Sequence, residues 1–246
     1  MRHTLLSTLI LGALCALPAL ADEHAPHWSY ADAAKWGELS KDFATCKIGG
    51  AQSPINIETA KATRAKLDPI DFQYTPTAAE VVNNGHTIQV NLAKGSAIQI
   101  GGARYELLQF HFHTPSEEEL DGKRLPMVAH LVHKNAEGKL AVVGVLFKEG
   151  KENAALAPVF AAMPAHEGGS AKLASFAPLA LIPAQRGYYA FSGSLTTPPC
   201  SEGVRWQVMQ AAAEVSPAQV AAFRKLYAMN ARPVQPLNGR VVQASE

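Results

Sequence analysis

The chain has 246 residues, with 22 Lys plus Arg against 21 Asp plus Glu. So even a balance, with no basic block, excludes the electrostatic footprint of a nucleic-acid binder or of a protein held on an anionic membrane surface. It suits a small, weakly charged substrate, and the length suits one β-rich domain.

Arg2 and His3 precede an apolar segment over residues 5–17, followed by Pro18, Ala19-Leu20-Ala21 and the charged pair Asp22-Glu23. This is the pattern of a secretory signal peptide, residues 1–21, with cleavage after Ala21. The segment falls short of the ~20 residues that a membrane span needs. Cys15 invites a lipid anchor, but the bulky Leu14 before it argues against one. The mature chain, residues 22–246, is therefore expected as a single exported domain without a membrane anchor, working in the periplasm. It keeps Cys46 and Cys200, which are expected to pair where disulfides persist; two buried free thiols are the alternative.

Alternating or β-branched runs predict strands over residues 70–74, 87–92, 97–100, 105–113, 127–133, 140–148, 188–192 and 204–209. Residues 135–138 read as a hairpin turn. The fourth and fifth runs carry three histidines. Side chains repeat their direction every second residue of a strand, so His111 and His113 leave one face while Phe110 and Phe112 point into a core. A neighbouring strand ~4.8 Å away would bring His130 to the same ion. Three neutral imidazoles suit zinc and leave one tetrahedral position open, as in a catalytic rather than a structural site. Any one of them alone would read better as a hydrogen-bonded core residue. His133 is out of phase with the ligand face and reads as a bystander.

Residues 154–163 form a weak helix candidate, interrupted by Pro158. Ser216-Pro217-Ala218-Gln219 is a capping box with proline at the first helical position, followed at helical spacing by Val220, Phe223, Leu226 and Tyr227. Residues 230–242, rich in Pro and Arg, read as an irregular strand or wrap along the surface. The fold class is mainly β with peripheral helices (α+β), built on a large central, mostly antiparallel twisted sheet.

Several segments stand in a specific order: His27-Trp28-Ser29-Tyr30, Gln52-Ser53-Pro54-Ile55-Asn56-Ile57, Asn83-Asn84-Gly85-His86, residues 109–113, Ser116-Glu117, residues 130–133, Leu195-Thr196-Thr197-Pro198-Pro199-Cys200 and Arg232-Pro233-Val234-Gln235-Pro236-Leu237. In this order and with these gaps the chain closely resembles the alpha-class carbonic anhydrases, above all their exported bacterial members. The resemblance implies a zinc lyase that interconverts carbon dioxide and bicarbonate, with one zinc ion per chain on His111, His113 and His130. It also pairs Cys46 with Cys200 and makes the Pro198–Pro199 bond cis. Zinc would acidify water, in carbonic anhydrase itself to a pKa of about 7, a value that belongs to the family and not to this spacing.

The resemblance implies that the hydroxide so formed attacks carbon dioxide. The resemblance makes Thr196 the hydroxyl that accepts from that hydroxide and donates to the carboxylate of Glu117. Val132, Val142, Leu195 and Trp206 become an apolar wall for a substrate with no net charge or dipole, and Thr197 lines the bicarbonate end. His86 becomes the proton shuttle, a task suited to a side chain with a pKa of about 6.5; Tyr30, Asn84 and Gln89 hold the intervening water. Gln109, two residues before His111 and on its face, fits as that ring's partner. Read without the resemblance, the wall is ordinary core and residues 117–119 are a solvated acidic run. Oligomeric state stays open, a homodimer included.

One departure carries a physical expectation. The family usually places glutamate two residues before the third ligand, where this chain has Val128. A carbonyl, a water or another side chain must then accept from His130, and zinc retention is expected to be weaker, since losing such a partner typically costs ~10- to 100-fold. Glu118 and Thr114-Pro115 depart too, and are expected to change neighbours rather than ligands. Among rivals, a cupin would use Glu117 as a ligand and favour iron or manganese, but its glycine spacing is absent. A metallo-β-lactamase lacks its aspartate and further histidine. An inactive binding protein of the same fold has only Val128 in its favour.

Overall fold

The structure, a computed structural model, describes residues 26–246; the signal peptide expected over residues 1–21 and its cleavage point lie outside them. The strands are β1 (Asn56–Ile57), β2 (Thr63–Ala65), β3 (Asp71–Gln73), β4 (Thr77–Asn83), β5 (Ile88–Leu92), β6 (Ala97–Ile100), β7 (Ala103–His113), β8 (Glu119–Leu120), β9 (Lys123–Arg124), β10 (Met127–Lys134), β11 (Leu140–Glu149), β12 (Ser170–Phe176), β13 (Tyr188–Ser194), β14 (Glu202–Met209), β15 (Ala213–Val215) and β16 (Gln243–Ser245). The α-helices are short: α1 (Trp36–Leu39), α2 (Thr45–Ile48), α3 (Ala157–Ala161) and α4 (Pro217–Arg224).

Thirteen strands make one twisted sheet whose main path runs β12-β4-β5-β7-β10-β11-β14-β13-β16-β2. Most neighbours are antiparallel; β11 runs parallel to β14 and β15, and β16 parallel to β2. Each of the eight runs expected from alternation overlaps a strand; six lie wholly within one, while Ile70 and Tyr74 flank β3 and Thr87 precedes β5. Two strands of ordinary length, β4 and β12, went unanticipated. β12, Ser-Ala-Lys-Leu-Ala-Ser-Phe, is poor in strand-favouring residues and mostly exposed at the sheet edge. Pro158 opens α3 rather than interrupting it, because its missing N–H falls in the first turn, where no partner is needed. The capping box at Ser216 and Gln219 forms as read, but α4 ends at Arg224; Leu226 and Tyr227 still pack on the core beyond it.

Side-chain alternation divides the interior. On one face of the sheet Phe110, Phe112, Leu131, Val143 and Phe223 belong to the larger core, each buried side chain contributing ~1.5–3 kcal/mol. On the other face Val128, Val132, Val142, Val204 and Trp206 form a smaller cluster. That second face carries the site.

Candidate active site

The site is written in the register of adjacent strands. Gln89 on β5, His111 on β7, His130 on β10 and Gly144 on β11 stand directly opposite one another in one row across the sheet. The next row places Gln109, Val132, Val142 and Trp206 side by side. His113 lies two residues along β7, opposite Val128. One ligand nitrogen from each of His111, His113 and His130 comes within 4.8 Å of the others, and Glu117 is not part of that group.

Each ring is turned by a hydrogen bond from its other nitrogen. His111 Nδ1 donates to Gln109 Oε1 at 2.9 Å, as expected. His113 Nδ1 donates to the main-chain carbonyl of Asn230 at 2.7 Å. His130 Nε2 donates to the carboxylate of Glu118, at 2.9 and 3.1 Å to its two oxygens. By elimination Nε2 of His111, Nε2 of His113 and Nδ1 of His130 face the common centre. His113 Nε2 is buried with no hydrogen-bond partner; such a group is costly to leave unmet, and a cation at the centre meets it. Three imidazole nitrogens with fixed tautomers fit zinc.

Burial holds His111 neutral, with its pKa pushed down to about 3, His130 adding to the effect. Burial likewise pushes His113 well below its ordinary value. For His130 burial pulls down as well, but Glu118 and then Glu117 outweigh it and the net shift is upward. The acceptor thought to be missing is therefore present. Val128 is apolar and fully buried, and Glu118, expected only to alter neighbours, takes its place beside the ring. The expectation of weak zinc retention loses its ground.

Glu117 is fully buried behind the histidines. Its Oε1 accepts from the Arg232 main-chain N–H at 2.8 Å, while Oε2 lies 3.4 Å from His113 Nε2 and 3.8 Å from His130 Nδ1. Burial raises its pKa to about 7, against the pull of His130 and of the Thr196 hydroxyl. Thr196 thus stands near Glu117, though Oε2 accepts no hydrogen bond of full geometry.

A cavity of about 250 Å³ opens over the three rings. Val132, Val142, Leu195 and Trp206 line one side with Thr196 and Thr197, and Tyr30, Asn84, Gln89 and Gln109 line it too. Trp206 is pinned by its indole N–H, which donates to the Ser194 carbonyl at 3.0 Å. The loop bearing Thr196 is closed by Leu195 N–H to the Ser201 carbonyl (2.9 Å) and Cys200 N–H to the Thr197 carbonyl (2.8 Å). Cys46 and Cys200 are joined in a disulfide, so the open thiol alternative falls away. The Pro198–Pro199 bond is cis.

His86 stands at the rim on a turn that the backbone dictates. Gly85 has φ 85°, a conformation that favours glycine, and Asn84 Oδ1 accepts from the N–H groups of His86 (3.0 Å) and Thr87 (2.9 Å). Part of Asn84 expected to hold water is therefore spent on the turn. Sequence reasoning missed Glu118 and Asn230, and passed over Arg232 as one letter of a motif. Only the nearness of Glu118 to β10, whose residues Met127–His133 are all buried, could have hinted at its burial. His133 is a bystander as read: on the far side of the sheet, it accepts from the Tyr74 hydroxyl at 2.6 Å.

Fold and site together define a sheet-borne, three-histidine metal protein with a half-apolar cavity over the centre. The model of the eukaryotic-type carbonic anhydrase family matches residues 31–246. The carbonic anhydrase of Pectobacterium atrosepticum is 43% identical over 221 residues, 88% of this chain and 90% of that protein. Among solved structures, the alpha-carbonic anhydrase from Thermovibrio ammonificans in complex with the inhibitor sulfanilamide superposes with a TM-score of 0.87 at 46% identity, covering 90% of this chain and 99% of that one. That of Photobacterium profundum gives 0.83 at 45%, covering 89% and 100%. The chain belongs to the eukaryotic-type, or alpha, carbonic anhydrase family and is an enzyme of that class, a lyase.

Proposed function

We propose that the chain catalyses the reversible hydration of carbon dioxide to bicarbonate and a proton, using one zinc ion held by His111, His113 and His130. One observation carries this reading: three imidazoles, His113 and His130 buried and His111 half-buried, each tied down through one nitrogen, converge through the other beneath an apolar wall. When bound there, zinc supplies the Lewis acidity that makes water a nucleophile near neutral pH.

The remaining work falls to side chains. Val132, Val142, Leu195 and Trp206 offer carbon dioxide dispersion contacts and exclude competing water from that side of the cavity. The Thr196 hydroxyl, both donor and acceptor, orients the attacking water with the acceptor-only carboxylate of Glu117 behind it. Arg232 N–H holds the other oxygen of that carboxylate, which supports a fixed direction for the relay. Thr197 meets the polar product, and the His86 imidazole takes the released proton across water held by Tyr30, Asn84 and Gln89 and passes it to buffer. The disulfide supports an exported protein, and with the signal read at the N-terminus we place the activity in the periplasm.

The test is stopped-flow carbon dioxide hydration with a pH indicator, on protein as purified, after chelation and after zinc is restored. Activity should vanish with the metal and return with zinc. Hydration that persists in metal-free protein, or zinc-replete protein that hydrates nothing, would overturn the reading.

A further inference from the structure

A carboxylate with no exposure to solvent needs a reason to be there, since an unpaired buried charge is among the most costly groups in a protein. Glu118 is 0% exposed, and among the described residues its carboxylate has no lysine or arginine partner. Both oxygens are directed instead at one ring nitrogen, His130 Nε2. The turn that delivers it is held independently. Ser116 Oγ donates to the Glu118 carbonyl at 2.7 Å and accepts from Leu125 N–H at 2.9 Å, while Ser116 N–H donates to the Leu125 carbonyl at 2.8 Å. Glu118 is thus presented to β10 from a loop outside the main sheet.

The other two rings are held differently. His111 is served from two residues back on its own strand, by Gln109, and His113 by a main-chain carbonyl. On β10 the position corresponding to Gln109 is Val128, buried among apolar side chains with Val132, Leu146 and Val208. It can accept nothing, and the carboxylate arrives from twelve residues away in sequence.

We infer that Glu118 is the positioning residue for the third metal ligand: it fixes the His130 ring with Nε2 protonated and Nδ1 turned to the centre, and the buried charge of the carboxylate is answered by the cation that His130 holds. The inference rests on the metal reading above but not on the reaction. It makes Glu118 and Val128 a matched pair in which the acceptor comes from the loop and the strand position stays apolar. A carboxylate added at position 128 would meet a ring nitrogen already engaged, next to a like charge.

The test is zinc release from the loaded protein into excess chelator, with thermal unfolding of the zinc-loaded and the metal-free protein measured beside it. Glu118→Leu should speed zinc loss by about 10- to 100-fold, the usual effect of removing a ligand's hydrogen-bond partner. Glu118→Gln keeps an acceptor oxygen and should fall between. Glu118→Leu leaves the buried His130 Nε2–H without an acceptor in either form, so some loss of stability is expected in both; the loss should be clearly larger in the zinc-loaded protein than in the metal-free one, whereas a purely structural glutamate would lower both equally. In the proton spectrum of the zinc-loaded parent, the slowly exchanging His130 Nε2–H signal should be downfield, and it should shift in both variants. Val128→Glu alone should not slow zinc loss. Zinc release unaltered in both Glu118 variants, or slowed tenfold by Val128→Glu, would overturn the inference. Zinc held as described by a protein that hydrates no carbon dioxide would instead sink the proposed reaction and leave the role of Glu118 standing.

Discussion

The imidazole of His86 lies flat on the indole of Trp28, ring centroids 3.7 Å apart and planes 8° from parallel, at the rim of the cavity. The stack covers one face of the ring, and burial, with nearby His27, lowers the His86 pKa below its ordinary value. The ring is therefore neutral and ready to accept at neutral pH. Acid–base groups of this kind are worth ~10²–10⁴-fold in rate, and since dissolved buffer takes over part of the task, His86→Ala is expected to slow turnover about tenfold in weak buffer. Added imidazole should restore part of the loss. An unchanged rate in weak buffer would remove His86 from the mechanism.

Trp28→Ala should uncover the same ring. With less burial, the His86 pKa should rise towards its ordinary value, as read by NMR titration of its ring protons. The pH below which proton transfer fails should move up with it. A pKa that stays put would assign the downward shift to His27 instead.

The disulfide joins Cys46, within α2, to Cys200, at the end of the loop that carries Thr196 and Thr197, across 154 residues of sequence. Chain-entropy arithmetic for so long a loop gives a ceiling of about 5 kcal/mol, and Cys46→Ser with Cys200→Ser is expected to cost ~2–5 kcal/mol in denaturant titrations. Gln52 Nε2 also donates to the Cys200 carbonyl at 3.0 Å. Loss of the link should therefore loosen the Thr196 loop and lower the turnover number as well as the unfolding midpoint. Equal midpoints for oxidised and reduced protein would contradict this.

The strands bearing the ligands were legible because their chemistry is periodic: the alternation of Phe110, His111, Phe112 and His113 encodes which face each side chain takes. The apolar wall carries no such signature. Val132, Val142 and Trp206 become a wall only because three strands pair in a register that no single segment contains. Glu118 was misread for the same reason. In a run of three glutamates its local pattern is that of a solvated surface, and its burial comes from packing against β10. Residues 230–242 are irregular as read, but the segment does not start on the surface: Asn230, Ala231 and Arg232 are buried, and the irregular backbone frees Asn230 and Arg232 to point main-chain groups at His113 and Glu117.

Asn230 is buried and fully engaged. Its side chain accepts from Thr114 N–H at 2.8 Å and donates to the carbonyls of Phe112 at 2.9 Å and His86 at 3.1 Å, while its main-chain carbonyl holds His113. Asn230→Ala leaves the Thr114 N–H and the His86 carbonyl without that partner, while the Phe112 carbonyl keeps the Thr87 hydroxyl, and at ~1–3 kcal/mol for each buried group left unsatisfied a net loss of about 2 kcal/mol is expected after relaxation. The His113 carbonyl acceptor stays in the chain but loses its anchor. Zinc release should quicken alongside the loss of stability. A variant as stable as the parent would mean that the Asn230 side chain is not what holds this segment in place.

His133 ties stability to pH without touching the cavity. Burial pushes its pKa down to about 4, against an upward pull from the main-chain carbonyls of Ala141 and Leu131. The neutral ring is satisfied at both nitrogens, Nε2 by the Tyr74 hydroxyl and Nδ1–H by the Ala141 carbonyl at 3.2 Å. Above the unfolded pKa of about 6.5 neither state holds the proton and the group costs nothing. Between pH 6.5 and 4 the unfolded chain is protonated first, so folding loses ground as pH falls, by about 3 kcal/mol across the window. His133→Gln removes that titration while keeping an acceptor for Tyr74. The unfolding free energy of the variant should therefore fall less between pH 7 and pH 4 than that of the parent, by about that amount. Parallel stability curves would show that His133 takes up its proton in the folded state as readily as in the unfolded one.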